Sequence, residues 1–264
     1  MDLKLEDKVF VVTGGAKGIG EAVCRTIIQE GAVAVIVDKD IEAGDVLKNA
    51  LGEKAAFFAV DLGVSGSCEN VVRNVADIFG RIDGIVNNAG VNDGVGLIRG
   101  TPERFVQSMT NNVVHYYEMV HYALPHLKKS MGAVVNVSSK TALTGQGNTS
   151  GYVAAKGAIL ALTREWAAEL AEYNIRVNAV VPAEAWTPMY EQWLRRLDNP
   201  KETLASITSR IPLGRRMTTA GEIADTIVFL LSSRATHITG QWIHVDGGYL
   251  HLDRALDAKK NRPQ

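Results

Sequence analysis

Short runs rich in valine and isoleucine recur along the chain at 9–13, 33–38, 55–60, 82–87, 134–138, 176–181 and 243–245, separated by stretches of helical length. Their apolar character is nearly continuous rather than alternating, as in parallel strands buried on both faces, and the intervening helices supply the right-handed crossovers such a sheet needs. The pattern predicts an α/β protein: a doubly wound parallel sheet of about seven strands with helices on both faces. The alternation breaks over 186–215, where Trp186, Met189, Tyr190, Trp193, Leu194 and Leu197 recur at near-helical spacing before a polar stretch and Pro212. Two readings are open: a surface helix packed on the core, or a lid over a pocket. No linker divides the chain, so residues 1–264 are read as one domain.

Composition narrows the partners. A chain of 264 residues can bury roughly three quarters of its unfolded surface in one core. The net charge of −1, with both signs interspersed, gives no electrostatic footprint for nucleic acid or an anionic membrane. The start, MDLKLEDK, has no apolar signal region, and no run reaches the length of a membrane helix; the expectation is a cytoplasmic protein without membrane or nucleic-acid partners. Cys24 and Cys68 suit neither a metal site nor a disulfide framework. His251, Asp253 and Arg254 fall close together, but no further ligand is placed by sequence, so a solvated or subunit-contact role is expected and no metal. Residues 257–264 read as a frayed tail.

The first run leads directly into TGGAKGIG, residues 13–20, and then into a helix beginning near Glu21. Gly14, Gly18 and Gly20 permit a tight turn, close approach of backbone N–H groups to a pyrophosphate, and close helix packing. Lys17 and Ile19 belong to the same expected contact surface. Asp38 closes the second strand, eighteen residues beyond Gly20. A carboxylate there can accept hydrogen bonds from ribose hydroxyls and would repel a 2′-phosphate, which favours NAD over NADP, although Lys39 beside it weakens the preference. Asp61 and Leu62, after the third strand, are candidates for the adenine edge or for an ordinary turn. NNAG, residues 87–90, ends the fourth strand: its asparagines can tie strands together through backbone groups, while Asn88, Ala89 and Gly90 leave room for a cofactor against the main chain.

Tyr152 and Lys156 sit one helical turn apart in SGYVAAKGA, surrounded by small residues, and share one face of a helix. Ser139 ends the fifth strand thirteen residues earlier. In an open α/β sheet, ligands bind beyond the carboxyl ends of the strands, so Ser139 and the Tyr152/Lys156 face should converge above the cofactor ring.

TGGAKGIG, Asp38, NNAG, Ser139 and YVAAK, in this order and spacing, resemble the short-chain dehydrogenase/reductase family from Lys8 to about Tyr249. The resemblance implies a Rossmann-type fold and adds Asn112, in TNNVV, as a fourth catalytic residue, with Asn111 as its neighbouring alternative. An asparagine inside a helix carries a propensity cost of a few tenths of a kcal/mol, which favours a functional reason for it. It further implies a homotetramer, and Pro182, Ala185 and Thr187 near the nicotinamide, with Ala183-Glu184 where the family usually has glycine after the proline.

The expected chemistry follows from charge. A phenol with pKa about 10 is a poor base near neutrality; lowering it by about three units needs roughly 4 kcal/mol, within reach of the Lys156 ammonium and a pyridinium ring acting together. Tyr152 would then take the hydroxyl proton as hydride leaves, Ser139 would hold the substrate oxygen, Lys156 would also bind the nicotinamide ribose, and Asn112 would anchor a water leading to solvent.

On the substrate side, Glu184 is either a hydroxyl acceptor or the partner of a surface cation. Gln146 and Asn148, in the polar loop before Tyr152, can hydrogen-bond a polyhydroxylated ligand. The segments SSKTALTGQGNTSGY, PAEAWTPMYEQW and GGYLHLDRAL are similar to NAD-dependent sugar 1-dehydrogenases of the L-fucose dehydrogenase type, which oxidise the anomeric carbon to a lactone. That resemblance implies sugar contacts from Glu184, Gln146 and Asn148 together with Ser139 and Tyr152. Two alternatives stand beside it: a carbonyl reductase acting on an oxoacyl, steroid or other ketone, and a non-catalytic nucleotide sensor, which would have no need of all four of Ser139, Tyr152, Lys156 and Asn112.

Overall fold

The computed structural model of the chain describes residues 1–252; Asp253, Arg254 and the expected tail 257–264 lie outside the described residues. Seven parallel strands form the central sheet: β1 (Val9–Thr13), β2 (Val33–Asp38), β3 (Ala55–Ala59), β4 (Gly84–Asn87), β5 (Ala133–Val137), β6 (Arg176–Pro182) and β9 (Trp242–Val245). They lie in the order β3-β2-β1-β4-β5-β6-β9, so the winding reverses between β1 and β4. That reversal opens a crevice at the carboxyl ends of those two strands.

Successive residues of each strand feed opposite layers. Val9, Val11, Val35 and Val37 enter the core formed with α3 (Ser67–Phe79), α5 (His115–Ser130) and α7 (Ser150–Glu169). Phe10, Val12, Ala34 and Ile36 enter the core formed with α1 (Gly18–Gln29) and α10 (Ala220–Leu231). A buried valine or isoleucine contributes about 1.5–3 kcal/mol, and the fully apolar strands are what allow both layers to be filled. The remaining helices are α2 (Ile41–Leu51), α4 (Pro102–Met109) and α6 (Thr141–Thr144), together with the two of the 186–215 segment.

Several strand ends differ from the hydrophobic pattern. β4 begins at Gly84, although Ile82 is fully buried. The intervening Asp83 carboxylate accepts from the Val9 backbone N–H at 2.9 Å and from Arg81 at 2.7 and 2.8 Å. This side-chain clasp adds to the backbone bonds Asp83 makes on both sides, its N–H donating to the Val9 carbonyl at 2.8 Å and its carbonyl accepting from the Ala133 N–H at 3.1 Å. β5 starts one residue earlier than the valine run and β9 one residue earlier at Trp242, while β6 runs on to Pro182. A short parallel pair, β7 (Ala185–Trp186) with β8 (Thr218–Thr219), was not legible as strand at all.

Segment 186–215 forms two helices, α8 (Pro188–Arg195) and α9 (Pro200–Ser209), each opening on a proline in its first turn, where the missing N–H costs nothing. Of its six apolar positions only Leu194 is buried, while Trp186, Met189 and Trp193 stay exposed. The segment is therefore not a helix with its apolar stripe sunk in the core. Among the described residues, no helix is long and apolar enough to cross a membrane.

Candidate active site

Helix α1 starts at Gly18, most of a turn earlier than Glu21, because Gly14 and Gly18 take the left-handed region (φ +61° and +58°) and bend the chain sharply. A Cβ on Gly20 would lie 2.0 Å from the Gly14 carbonyl oxygen, so this contact admits only glycine. The loop is clamped from the side. Asn88 Nδ2 donates to the carbonyls of Thr13 and Gly14 at 3.0 Å each, and the N–H groups of Asn88 and Ala89 donate to Thr13 Oγ1 at 2.9 and 3.1 Å. The strand-tying part expected of NNAG falls also to Asn87, whose Nδ2 reaches Asn136 Oδ1 at 3.0 Å.

Lys17 is the N-cap of α1 and places no side-chain acceptor on the helix's first N–H groups. Unfilled donors at the positive end of a helix fit a pyrophosphate. Lys17 Nζ instead meets Asp40 Oδ2 at 2.5 Å at the surface, and Ile19 packs towards the α1/α10 core. Asp38 accepts from the Ala16 N–H on one oxygen and the Asp40 N–H on the other, both at 3.0 Å, which fixes the carboxylate at the crevice rim with acceptor capacity left for ribose hydroxyls. Lys39 turns away towards Asp61, 3.9 Å distant. Asp61 closes its own turn by accepting from the Gly63 N–H at 2.9 Å, and the Leu62 side chain is buried in the α3/α5/α7 core, so the plain turn reading describes their side chains. Thr187 caps α8, and its side chain lies 3.5 Å from where a Gly18 Cβ would be, so α8 begins against the glycine loop, with Pro182 at the end of β6 and Ala185 in β7 leading to it.

The chemical groups gather beyond β5. Ser138 Oγ, at the strand's end, donates to the Lys156 carbonyl at 2.8 Å and pins α7 to the sheet. Ser139 Oγ accepts from Thr141 Oγ1 at 3.0 Å and from the Thr141 N–H at 3.3 Å, and lies near enough to the Tyr152 phenol to act on its proton affinity. Lys156 is only 3 % exposed; its Nζ donates to the Val137 carbonyl at 2.8 Å and to Tyr116 Oη at 3.1 Å, and stands 5.6 Å from the centre of the Tyr152 ring. Gly90 completes the floor: a Cβ there would come within 2.9 Å of Asn112 Oδ1 and 3.4 Å of Lys156 Nζ.

The expected lowering of the phenol counts on two cations, Lys156 and a pyridinium ring, and the protein by itself supplies only the first. Without a cofactor the Tyr152 phenol is not lowered: burial raises its pKa, against an opposing pull from the Ser139 hydrogen bond. Burial likewise brings Lys156 down to about 7. Loss of hydration acts on both groups in the direction of their neutral forms, and Lys156 keeps its proton below about pH 7.

Asn112 lies in a π-helical turn, Thr110–Val114, between α4 and α5, rather than in a regular helix. Its side chain accepts from the Val91 N–H at 2.8 Å and donates to the Ser108 carbonyl at 2.9 Å, so the amide braces the site and makes no direct bond to Lys156. Asn111 instead accepts from Gln107 Nε2 at 2.9 Å on the exposed side.

Glu184 is not a free acceptor. One oxygen takes a hydrogen bond from Lys140 Nζ and the other from Tyr190 Oη at 2.8 Å, and Lys140 also stands 4.1 Å over the Tyr249 ring. The Lys140 and Glu184 side chains are 13 % and 12 % exposed, so this is neither a surface ion pair nor an open carboxylate. Gln146 and Asn148 are exposed in the loop that precedes α7. Lys140, Tyr190 and Tyr249 were missed by sequence reasoning; the adjacency of Lys140 to Ser139 was the available signal. Tyr116 was missed too, although it stands four residues after Asn112. Among the described residues no metal-binding cluster occurs, and His251 packs edge-on to His244 at 4.8 Å.

Comparison with known proteins agrees with this geometry. A family model described as enoyl-(acyl carrier protein) reductase matches residues 14–250. The L-fucose dehydrogenase of Rattus norvegicus is 36 % identical over 242 residues, 91 % of this chain and 88 % of that protein. The 3-oxoacyl-[acyl-carrier-protein] reductase FabG of Thermotoga maritima is 36 % identical over 250 residues, 93 % and 99 % of the two chains. The crystal structure of Cj0485 dehydrogenase superposes with a TM-score of 0.92 at 46 % identity, covering 97 % of this chain and 98 % of the other.

Proposed function

The chain belongs to the short-chain dehydrogenase/reductase family, and from that premise we propose that it oxidises the anomeric carbon of an aldose such as L-fucose with NAD⁺, releasing a lactone. Family membership makes it an enzyme acting on alcohol or carbonyl groups with a nicotinamide cofactor, which sets aside the non-catalytic sensor. The residues at the crevice fit that cofactor: a glycine loop with unfilled helix donors, and Asp38 held at the rim to favour NAD over NADP. When bound, the cofactor supplies the hydride acceptor.

Tyr152 takes the proton of the C1 hydroxyl, while Ser139 donates to the same oxygen and holds it in place. Lys156 provides positive charge beside the phenol. A cationic ring at the site adds to that charge, so the phenolate unfavoured in the free protein becomes accessible when the cofactor is present. Asn112 holds the floor between Gly90 and the π turn.

The observation that carries the sugar reading is the nearly buried Lys140–Glu184–Tyr190 cluster next to Ser139. These donors and acceptors satisfy one another at low exposure, and a ligand rich in hydroxyls can exchange hydrogen bonds with them, an exchange for which an apolar ketone offers few groups. Glu184 acts here both on the sugar and by fixing Lys140, and Gln146 and Asn148 add contacts from the loop. A homotetramer in the cytoplasm, with α8 and α9 as a lid, belongs to the same reading.

NADH formation measured by absorbance across a panel of aldoses, with NAD⁺ and NADP⁺ in parallel, tests it. Turnover of L-fucose or a close stereoisomer with NAD⁺ is expected, and Glu184→Ala should raise KM for the sugar roughly 10-fold or more. Reduction of ketones with no aldose oxidation would favour the second reading, a 3-oxoacyl or other carbonyl reductase, which the similarity to the Thermotoga maritima reductase supports.

A further inference from the structure

Tyr116 opens the second residue of α5, one helical turn beyond Asn112, and is fully buried. Its phenol donates to the Val137 carbonyl at 3.1 Å and accepts from Lys156 Nζ at 3.1 Å, while Lys156 donates to that same carbonyl at 2.8 Å. The three groups close a hydrogen-bonded ring at the end of β5. With its single proton committed to Val137, the Tyr116 oxygen faces Lys156 as an acceptor only. An acceptor of that kind stabilises an ammonium over a free amine.

The surroundings leave few other groups to do this. Facing Lys156 are His115 and Tyr116 from α5, Tyr152 from its own helix, and Gly90 with Asn112 from the loop after β4 and the π turn. Asp61 acts on His115 rather than on Lys156, and burial lowers His115 to about 4, so that ring is neutral near pH 7. Asn112 spends its side chain on Val91 and Ser108.

We propose that Tyr116 is a positioning residue that holds the Lys156 ammonium in place beside the Tyr152 phenol. The inference rests on the proposed reaction only in taking Tyr152 as the base.

In the oxidative direction kcat rises with pH as Tyr152 loses its proton. Tyr116→Phe keeps the ring and removes the acceptor, so the midpoint of that rise should move up by about one pH unit and kcat near neutrality should fall about tenfold, with KM for the sugar within about twofold of the parent. A merely structural role would lower thermal stability or change KM and leave the midpoint where it was; an unmoved midpoint overturns the proposal. Replacement of Tyr116 by 3-fluorotyrosine, nearly the same shape with a weaker acceptor oxygen, should shift the midpoint in the same direction by less, and it decides the matter if the phenylalanine variant does not fold. If the parent oxidises no aldose, the substrate reading fails, and the same comparison on whichever alcohol the parent does oxidise still judges Tyr116.

Discussion

Lys156 brings a positive charge into a place with almost no water, and the free protein carries that as a stability cost that depends on pH. Its pKa falls from 10.5 to about 7 through burial. Between those values the unfolded chain holds a proton that the folded chain lacks, so stability rises with pH through this window, and the cost is fully present below about pH 7. The depression corresponds to at most about 5 kcal/mol. Lys156→Met should therefore abolish turnover yet stabilise the fold by roughly 1–4 kcal/mol near neutrality, since Tyr116 can still donate to Val137 once the lysine is gone. Thermal unfolding of both proteins across pH 6–10 checks this: the gap should narrow as pH rises, and a parent more stable than the variant throughout would refute it. The Tyr152/Lys156 pair was legible because four-residue spacing on a helix is a local property. Tyr116 obeys the same spacing from Asn112 but reads as an ordinary core aromatic until Lys156 is packed against it.

At the scale of elements, a buried chain of side chains joins β4, β5 and α7. Asn87 Nδ2 donates to Asn136 Oδ1, and Asn136 Nδ2 donates to Thr163 Oγ1, each at 3.0 Å, with the last hydroxyl donating to the Ile159 carbonyl at 2.8 Å. This network holds the Tyr152/Lys156 helix in register with the strand ends. Asn136→Ala would leave Asn87 Nδ2 only the long bond to the Tyr116 carbonyl and remove a partner of Thr163 in a buried layer, at about 2–4 kcal/mol. Urea denaturation should show a lower midpoint with an unchanged slope, and a midpoint within error of the parent would show that the layer repacks. The asparagines were visible as polar intrusions in apolar strands, but their mutual pairing was not, because Asn87 and Asn136 are 49 residues apart. The same holds for the Asp83 clasp on Val9, which joins positions 74 residues apart, and for the β7–β8 pair, in which each strand is only two residues long.

For the molecule as a whole, the reversal of strand order between β1 and β4 puts the glycine loop, Asp38 and the Ser139/Tyr152/Lys156 group on one edge of the sheet. A ligand binding there adds stability by mass action, about 2.7 kcal/mol at one hundred times its Kd. NAD⁺ at that ratio should raise Tm by about 5 °C or more, and the same concentration of NADP⁺ should raise it much less, because Asp38 would face the 2′-phosphate. Equal shifts with both cofactors, measured by thermal melts, would show that Asp38 does not select.

The sequence alone determined the succession of strands and helices, the sheet buried on both faces, the glycine turn and the one-turn spacing of Tyr152 and Lys156 on a shared helix. Each of those rests on periodicity or short spacing, which operates within a few residues of chain. Only the tertiary structure decided that Glu184 is bound by Lys140 and Tyr190, that Tyr116 reaches Lys156, and that burial drives the phenol and the amine towards their neutral forms. Desolvation and hydrogen-bond partners are set by whatever other segments pack around a group, and segments tens of residues away carry no local trace of that packing.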